Sequence, residues 1–153
     1  MLQNSEFAAS LREETAALRA FRKLLETERA CLKRSDVETL LELTRVKSEQ
    51  LDQLAEFSEC RSRYLVAKGL EVSQAGMAKA TQTPELTELW NELLSIAAEV
   101  RNLNDANGAL IAVRMNHNHA ALAALQVGGR VPKLYGPDGQ RDVGAPPREL
   151  GRA

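Results

Sequence analysis

A chain of 153 residues fits one domain of ordinary size and can bury a real hydrophobic core. Its 44% hydrophobic, 27% charged and only 4% aromatic residues suit a helical protein rich in Leu, Ala, Glu and Arg, and argue against a β-sandwich or a disordered chain. With 20 basic residues against 21 acidic the net charge is −1, too weak a field to gather a polyanion, so no nucleic-acid partner is expected.

Met1 to Glu14 lacks a basic region followed by an apolar run. No stretch approaches the roughly 20 apolar residues of a membrane span. A cytosolic protein without membrane insertion is therefore expected. Cys31 and Cys60 lack the paired spacing of a zinc or redox site. In an antiparallel hairpin turning near Ser35 they lie roughly 30 Å apart at about 1.5 Å per residue, too far for a disulfide, and read as free thiols.

The first predicted helix, about 5–33, places Leu11, Leu18, Leu25 and Leu32 at seven-residue spacing, with Phe7 and Phe21 on the same face. Glu14 and Glu28 interrupt the complementary position, so this seam needs other helices to cover it. Ser35-Asp36-Val37-Glu38 reads as a capping box that opens the second helix, about 36–68. Val37, Leu40, Leu41, Thr44, Leu51, Leu54, Ala55 and Leu65 follow at offsets of three and four, with Lys47 and Ser48 as one polar turn. Glu13-Glu14 and Arg61-Ser62-Arg63 read as solvated faces of their helices.

Between Gly69 and Thr83 the periodicity weakens, and a connection with room for one short helix is expected. Thr83-Pro84-Glu85 is a strong start signal: a cap, a proline suited to the first helical position and an acid that complements the dipole. The third long helix, about 84–127, runs through Leu86, Leu89, Trp90, Leu93, Ala97, Val100, Leu103, Asn107, Leu110, Ile111 and Leu125 to Gly128-Gly129. At roughly 65 Å it is longer than either predecessor, so its C-terminal part is expected to overhang the bundle. The fold class is thus all-α: residues 1–127 an antiparallel bundle of three long helices. Residues 128–153 hold four of the five prolines and six of the nine glycines and are expected to form a flexible tail.

Candidate chemistry is sparse. His117 and His119 diverge by about 200° on a helix and have no carboxylate at a useful offset, so no metal site and no cofactor are expected. No Gly-rich phosphate loop and no nucleophile with a partnered base occur, which argues against an enzyme. Asn104, Asn107 and Gly108 form an odd polar patch in the long helix. A glycine there costs about 1 kcal/mol relative to alanine. Either Gly108 admits a neighbouring backbone and the asparagines fix bundle register, or a client helix docks there. In the tail, Leu134-Tyr135 stands beside turn chemistry at Pro137-Asp138-Gly139, as a turn or as a docking motif with an aromatic anchor.

Asn107-Gly108-Ala109-Leu110-Ile111 after Trp90, followed by Leu134-Tyr135-Gly136-Pro137-Asp138-Gly139-Gln140, resembles the FlgN family of flagellar export chaperones across nearly the whole chain. The resemblance implies a bacterial cytosolic chaperone that binds the C-terminal amphipathic helices of hook–filament junction proteins, the first and third hook-associated proteins. It would deliver them to the flagellar export gate and its export ATPase complex. Leu103, Asn107, Gly108, Leu110, Ile111, Leu122 and Leu125 are the expected client-binding residues, and Tyr135 is expected to dock the gate. Two other readings stay open on the residues: a self-associating coiled-coil scaffold, and a phosphotransfer module acting through His117.

Overall fold

A computed structural model describes residues 3–125. The expected tail, its Gly128-Gly129 boundary and Tyr135 lie outside the described residues. Three long helices and one short helix form in chain order: α1 Asn4–Arg34, α2 Val37–Ala67, α3 Gln74–Ala80 and α4 Pro84–Leu125. The chain divides into two units after Asn107, and α4 supplies residues to both.

Each boundary has a local cause. Ser35 adopts a left-handed conformation (φ 59°) that closes α1, with the Asp36 amide bonded back to the Cys31 carbonyl at 3.0 Å. Because Ser35 serves as the stop, the expected Ser35–Glu38 capping box is replaced by Asp36. Its carboxylate accepts from the Thr39 amide at 3.2 Å and the Thr39 hydroxyl at 2.7 Å. These hydrogen bonds hold the Asp36 carboxyl below its ordinary pKa, with Arg34 as a smaller contributor.

Gly69 ends the second helix's exit turn with φ 69°, in the left-handed region glycine favours. The weakly periodic connection does contain a helix, α3, capped by the Ser73 hydroxyl on the Gly76 amide at 3.1 Å. Thr83 caps α4 as read, its hydroxyl accepting from the Leu86 amide at 3.3 Å ahead of Pro84.

Within the first unit the helices run up, down and up. Glu14 meets Arg61 and Glu28 meets Lys47, so α1 and α2 are antiparallel. Arg12 pairs with Glu85, Arg19 with Glu92 and Arg22 with Glu99, so α1 and α4 run parallel. The predicted α1 stripe is the heart of the core: Phe7, Leu11, Leu18, Phe21 and Leu25 pack with Tyr64, Leu65, Met77 and the α4 row Leu86, Trp90, Leu93, Ile96 and Val100. Phe7 and Tyr64 stack at 3.7 Å between ring centroids, and the Tyr64 hydroxyl donates to Asn4 Oδ1 at 3.0 Å. Burial pushes the Tyr64 phenol above its ordinary pKa. Cys31 is buried, Cys60 is half-buried, and both are free thiols.

Candidate functional site

Two acids that break the hydrophobic seam of α1 are buried rather than solvated. Arg61 Nε and a terminal guanidinium nitrogen donate to the two Glu14 oxygens at 2.8 and 3.0 Å, and the guanidinium carbon lies 5.4 Å from the centre of the Trp90 ring. The expectation that Glu14 and Arg61 merely solvate their helices is therefore corrected. Arg61 lies on the inner face of α2, where it meets Glu14, which would otherwise be stranded in the core.

Two heptads further along α1, Glu28 accepts from Lys47 Nζ at 3.2 Å and from the Asn107 side-chain amide at 3.0 Å. Asn107 is 0% exposed and also donates to the Leu25 carbonyl at 2.8 Å. Its own Oδ1 is buried without a hydrogen-bond partner among the described residues. Taken singly, Arg61 and Lys47 read as polar positions of α2, yet a signal for their pairing is present. They are spaced as Glu14 and Glu28 are, so an antiparallel hairpin aligns both pairs at once.

Beside the Glu14–Arg61 pair, the helices border an open cleft of about 450 Å³ that reaches Leu54, Ser58, Leu65, Met77, Trp90 and Leu94. Its mixed lining of aliphatic side chains and small hydroxyls offers no group with an activating partner.

The residues singled out in the long helix fall into two sets. Leu103 is half-buried and packs on the core, and Asn107 is wholly internal. In the second unit Leu110 is half-buried, while Gly108, Ile111, Leu122 and Leu125 are exposed. Space for a Cβ at Gly108 is open, with nothing within 4 Å, so of the two readings of this position the close approach of a neighbouring backbone is absent among the described residues.

The seven-residue row Leu86, Leu93, Val100 and Asn107 is buried throughout. Its next members, Arg114 and Ala121, are half-buried and exposed. From Gly108 to Leu125 no residue is buried, although Ile111, Val113, Leu122 and Leu125 lie there. His117 is exposed in a shallow depression with Val113, Asn116 and Ala120, and His119 is half-buried. No group of three potential metal ligands occurs among the described residues.

An up-down-up arrangement of three long helices, with a short helix before the third, defines an all-α protein. The FlgN protein family model matches residues 1–142. A flagella synthesis protein FlgN from Proteus mirabilis is 32% identical over 124 residues, 80% of this chain and 76% of that one. One from Yersinia enterocolitica is 33% identical over 97 residues, 63% of this chain and 61% of that one. A crystal structure of a FlgN-type flagella synthesis protein from Pseudomonas aeruginosa shares the fold with a TM-score of 0.64 at 20% identity, covering 72% of this chain and 89% of that one. The chain belongs to the FlgN family.

Proposed function

We propose that this protein is a cytosolic chaperone of flagellar type III export. It binds the C-terminal amphipathic helices of the first and third hook-associated proteins, keeps them unassembled and hands them to the export gate and its ATPase complex. The observation that carries this reading is the stretch of α4 from Gly108 to Leu125. There Ile111, Met115, Asn118, Leu122 and Leu125 follow at offsets of four and three, and none is buried. A stripe of that spacing fits the apolar face of another helix.

Holding a helix makes and breaks no bond and uses no cofactor. Among the described residues no helix is long and apolar enough to cross a membrane, which suits a carrier working in the cytosol. The family membership supports the flagellar setting. In the same reading the tail brings Tyr135 to the gate.

The test mixes the full chain with the C-terminal segment of a junction protein. A stable complex should elute at micromolar concentrations, and Ile111→Glu or Leu122→Glu should weaken it at least tenfold. The cost of a carboxylate against an apolar stripe is large compared with the 1.4 kcal/mol that a factor of ten represents. No complex with the native chain at those concentrations would remove the proposal. Tyr135→Ala should leave this complex intact and weaken gate docking alone.

A further inference from the structure

The cleft beside Trp90 is a corner of the first unit that no long helix fills. There α1 pairs with α2 through Glu14 and Arg61 and with α4 through Arg19 and Glu92, and Glu14 and Leu18 form the cleft's floor. At the end where α2 stops and α4 starts, the short α3 occupies the corner, with Met77 buried in the core. That helix is only seven residues long. Beyond its Gln74 and Met77 the corner lies open. Helical bundles build their binding sites in such spaces between facing helices.

The charges on α2 separate its outer face from its cleft edge. The outer face carries Glu38, Glu42, Glu49, Asp52 and Glu56, all exposed, beside an unburied apolar row through Val37, Leu41 and Leu51. The cleft edge, Leu54, Ser58 and Ser62, is uncharged, and so is the facing edge of α4, Trp90, Leu94 and Ala97. Each edge steps by three or four residues, so both present ridges along the cleft. Small side chains at Ser58, Ser62 and Ala97 leave room for another backbone to come close.

Among the described residues that line the cleft, Glu14 and Arg61 alone are charged. Arg61 spends Nε and Nη2 on Glu14, which leaves Nη1 without a hydrogen-bond partner among the described residues. Its side chain keeps 21% of its accessibility. The volume of about 450 Å³ lies within the roughly 300–1,000 Å³ of ligand-holding clefts. Because the cleft is open along one side, it suits side chains inserted from an element lying across its mouth.

We propose that this cleft holds an amphipathic helix of the client, which takes the place of a fourth long helix in the first unit. The inserted face is aliphatic and uncharged, with one neutral oxygen acceptor, from Asn, Gln, Ser or Thr, set against Arg61 Nη1. A lysine or arginine at that point would meet the guanidinium, and a carboxylate would meet Glu14, each in a water-poor floor. The inference rests on the reading of the protein as a carrier of junction-protein helices. It adds a site within the first unit to the α4 stretch beyond Gly108.

Trp90 is the chain's only tryptophan, so its emission reports on the cleft. The full chain is titrated with a tryptophan-free C-terminal segment of a junction protein. Binding should shift the emission to the blue and lower its quenching by acrylamide, over the same concentrations that give a complex on a sizing column. Ser58→Phe puts a ring into the cleft from an exposed position, and should raise the dissociation constant at least tenfold at an unchanged melting temperature. Ser58→Ala should bind as the native chain does. Ile111→Glu should still show the full Trp90 response at saturation. A complex that leaves Trp90 emission and quenching unchanged would overturn the proposal while the carrier reading stands, and no complex at all would remove both. Native affinity in a folded Ser58→Phe variant would also overturn it. If that variant melts early, the Trp90 response of the native chain decides alone.

Discussion

Glu28 accepts the side-chain amide of Asn107 at 3.0 Å inside the bundle, and the same carboxylate takes Lys47 from the opposite side. One acid on α1 thereby ties α2 and α4 together. Asn107 also holds the Leu25 carbonyl, so its amide group serves the two acceptors nearest to it. Replacing Asn107 with Ala leaves both acceptors short of a donor in a water-poor site. The expected loss is about 1–3 kcal/mol, read as a lower urea midpoint with an unchanged slope. Binding of a junction-protein segment, measured below the unfolding range, should stay within about twofold, a change of well under 1 kcal/mol. A large binding defect with native stability would place Asn107 in the client surface instead.

The Glu14–Arg61 and Glu28–Lys47 pairs have a second consequence, which is register. If α2 slipped by one heptad in one direction, Glu14 would face Leu54 and Glu28 would face Leu40. In the other direction Glu28 would face Leu54. Either slip buries a carboxylate against an aliphatic side chain, so the two pairs exclude neighbouring alignments. Glu14→Ala strands the Arg61 guanidinium over Trp90 and should cost about 3 kcal/mol, the lower end for a broken buried pair, because Arg61 keeps some contact with solvent. The double variant Glu14→Leu with Arg61→Leu should recover most of that loss, so a double-mutant cycle in chemical denaturation should be strongly non-additive. Additive losses would mean that the two residues act independently.

How far the fold could be read depended on whether one residue or a register carried the signal. The α1 leucines and Thr83-Pro84-Glu85 were legible because periodicity and cap chemistry act within a few residues. At Ser35-Asp36 two capping residues stand side by side, and the assignment depends on which one takes the left-handed turn, a choice made by the exit of α1. The short α3 was legible only as room for one helix, without bounds, because its burial rests on Gly76 and Met77 alone, with no stripe of its own. The internal role of Asn107 was legible only as the fourth member of the row Leu86, Leu93, Val100, where apolar precedents and a polar successor point in different directions. Its partners on α1 decide the matter. The length of α4 beyond Gly108 was legible from its periodicity, whereas the unburied row on α2 was masked by the inner row interleaved with it.

Acid should loosen the start of α2 through Asp36. The hydrogen bonds from Thr39 lower the folded-state pKa below the ordinary 3.8, so the ionised cap contributes its full stabilisation above that value. The contribution fades as the pH falls from there through the lower folded pKa, where both states become protonated. Asp36→Ala should therefore lower the melting temperature by a constant amount from neutral pH down to about pH 5, and the gap to the native chain should close below about pH 4. A gap independent of pH would mean that the carboxylate charge has no part in the cap. Asp36→Asn should melt above Asp36→Ala at neutral pH, because asparagine also accepts from the helix's first amides.

The two helical glycines should respond in opposite directions to the same substitution. A Cβ on Gly76 would sit 1.8 Å from the Glu71 carbonyl oxygen, a backbone atom that cannot turn aside, so Gly76→Ala must displace α3 or the turn before it. The expected cost is about 1–3 kcal/mol, in the range of overpacked interiors, with Met77 loosened from the core. Gly108 has open space around it, and alanine there should raise helix stability by up to about 1 kcal/mol through propensity alone. Hydrogen exchange of α4 amides near residue 108 should slow in Gly108→Ala, and those of α3 should quicken in Gly76→Ala. If Gly108 lies under a bound client helix, the more stable variant should bind the junction segment less tightly, because the added methyl occupies the space the client backbone approaches. Unchanged or tighter binding would move the client contact along α4 toward Leu122 and Leu125.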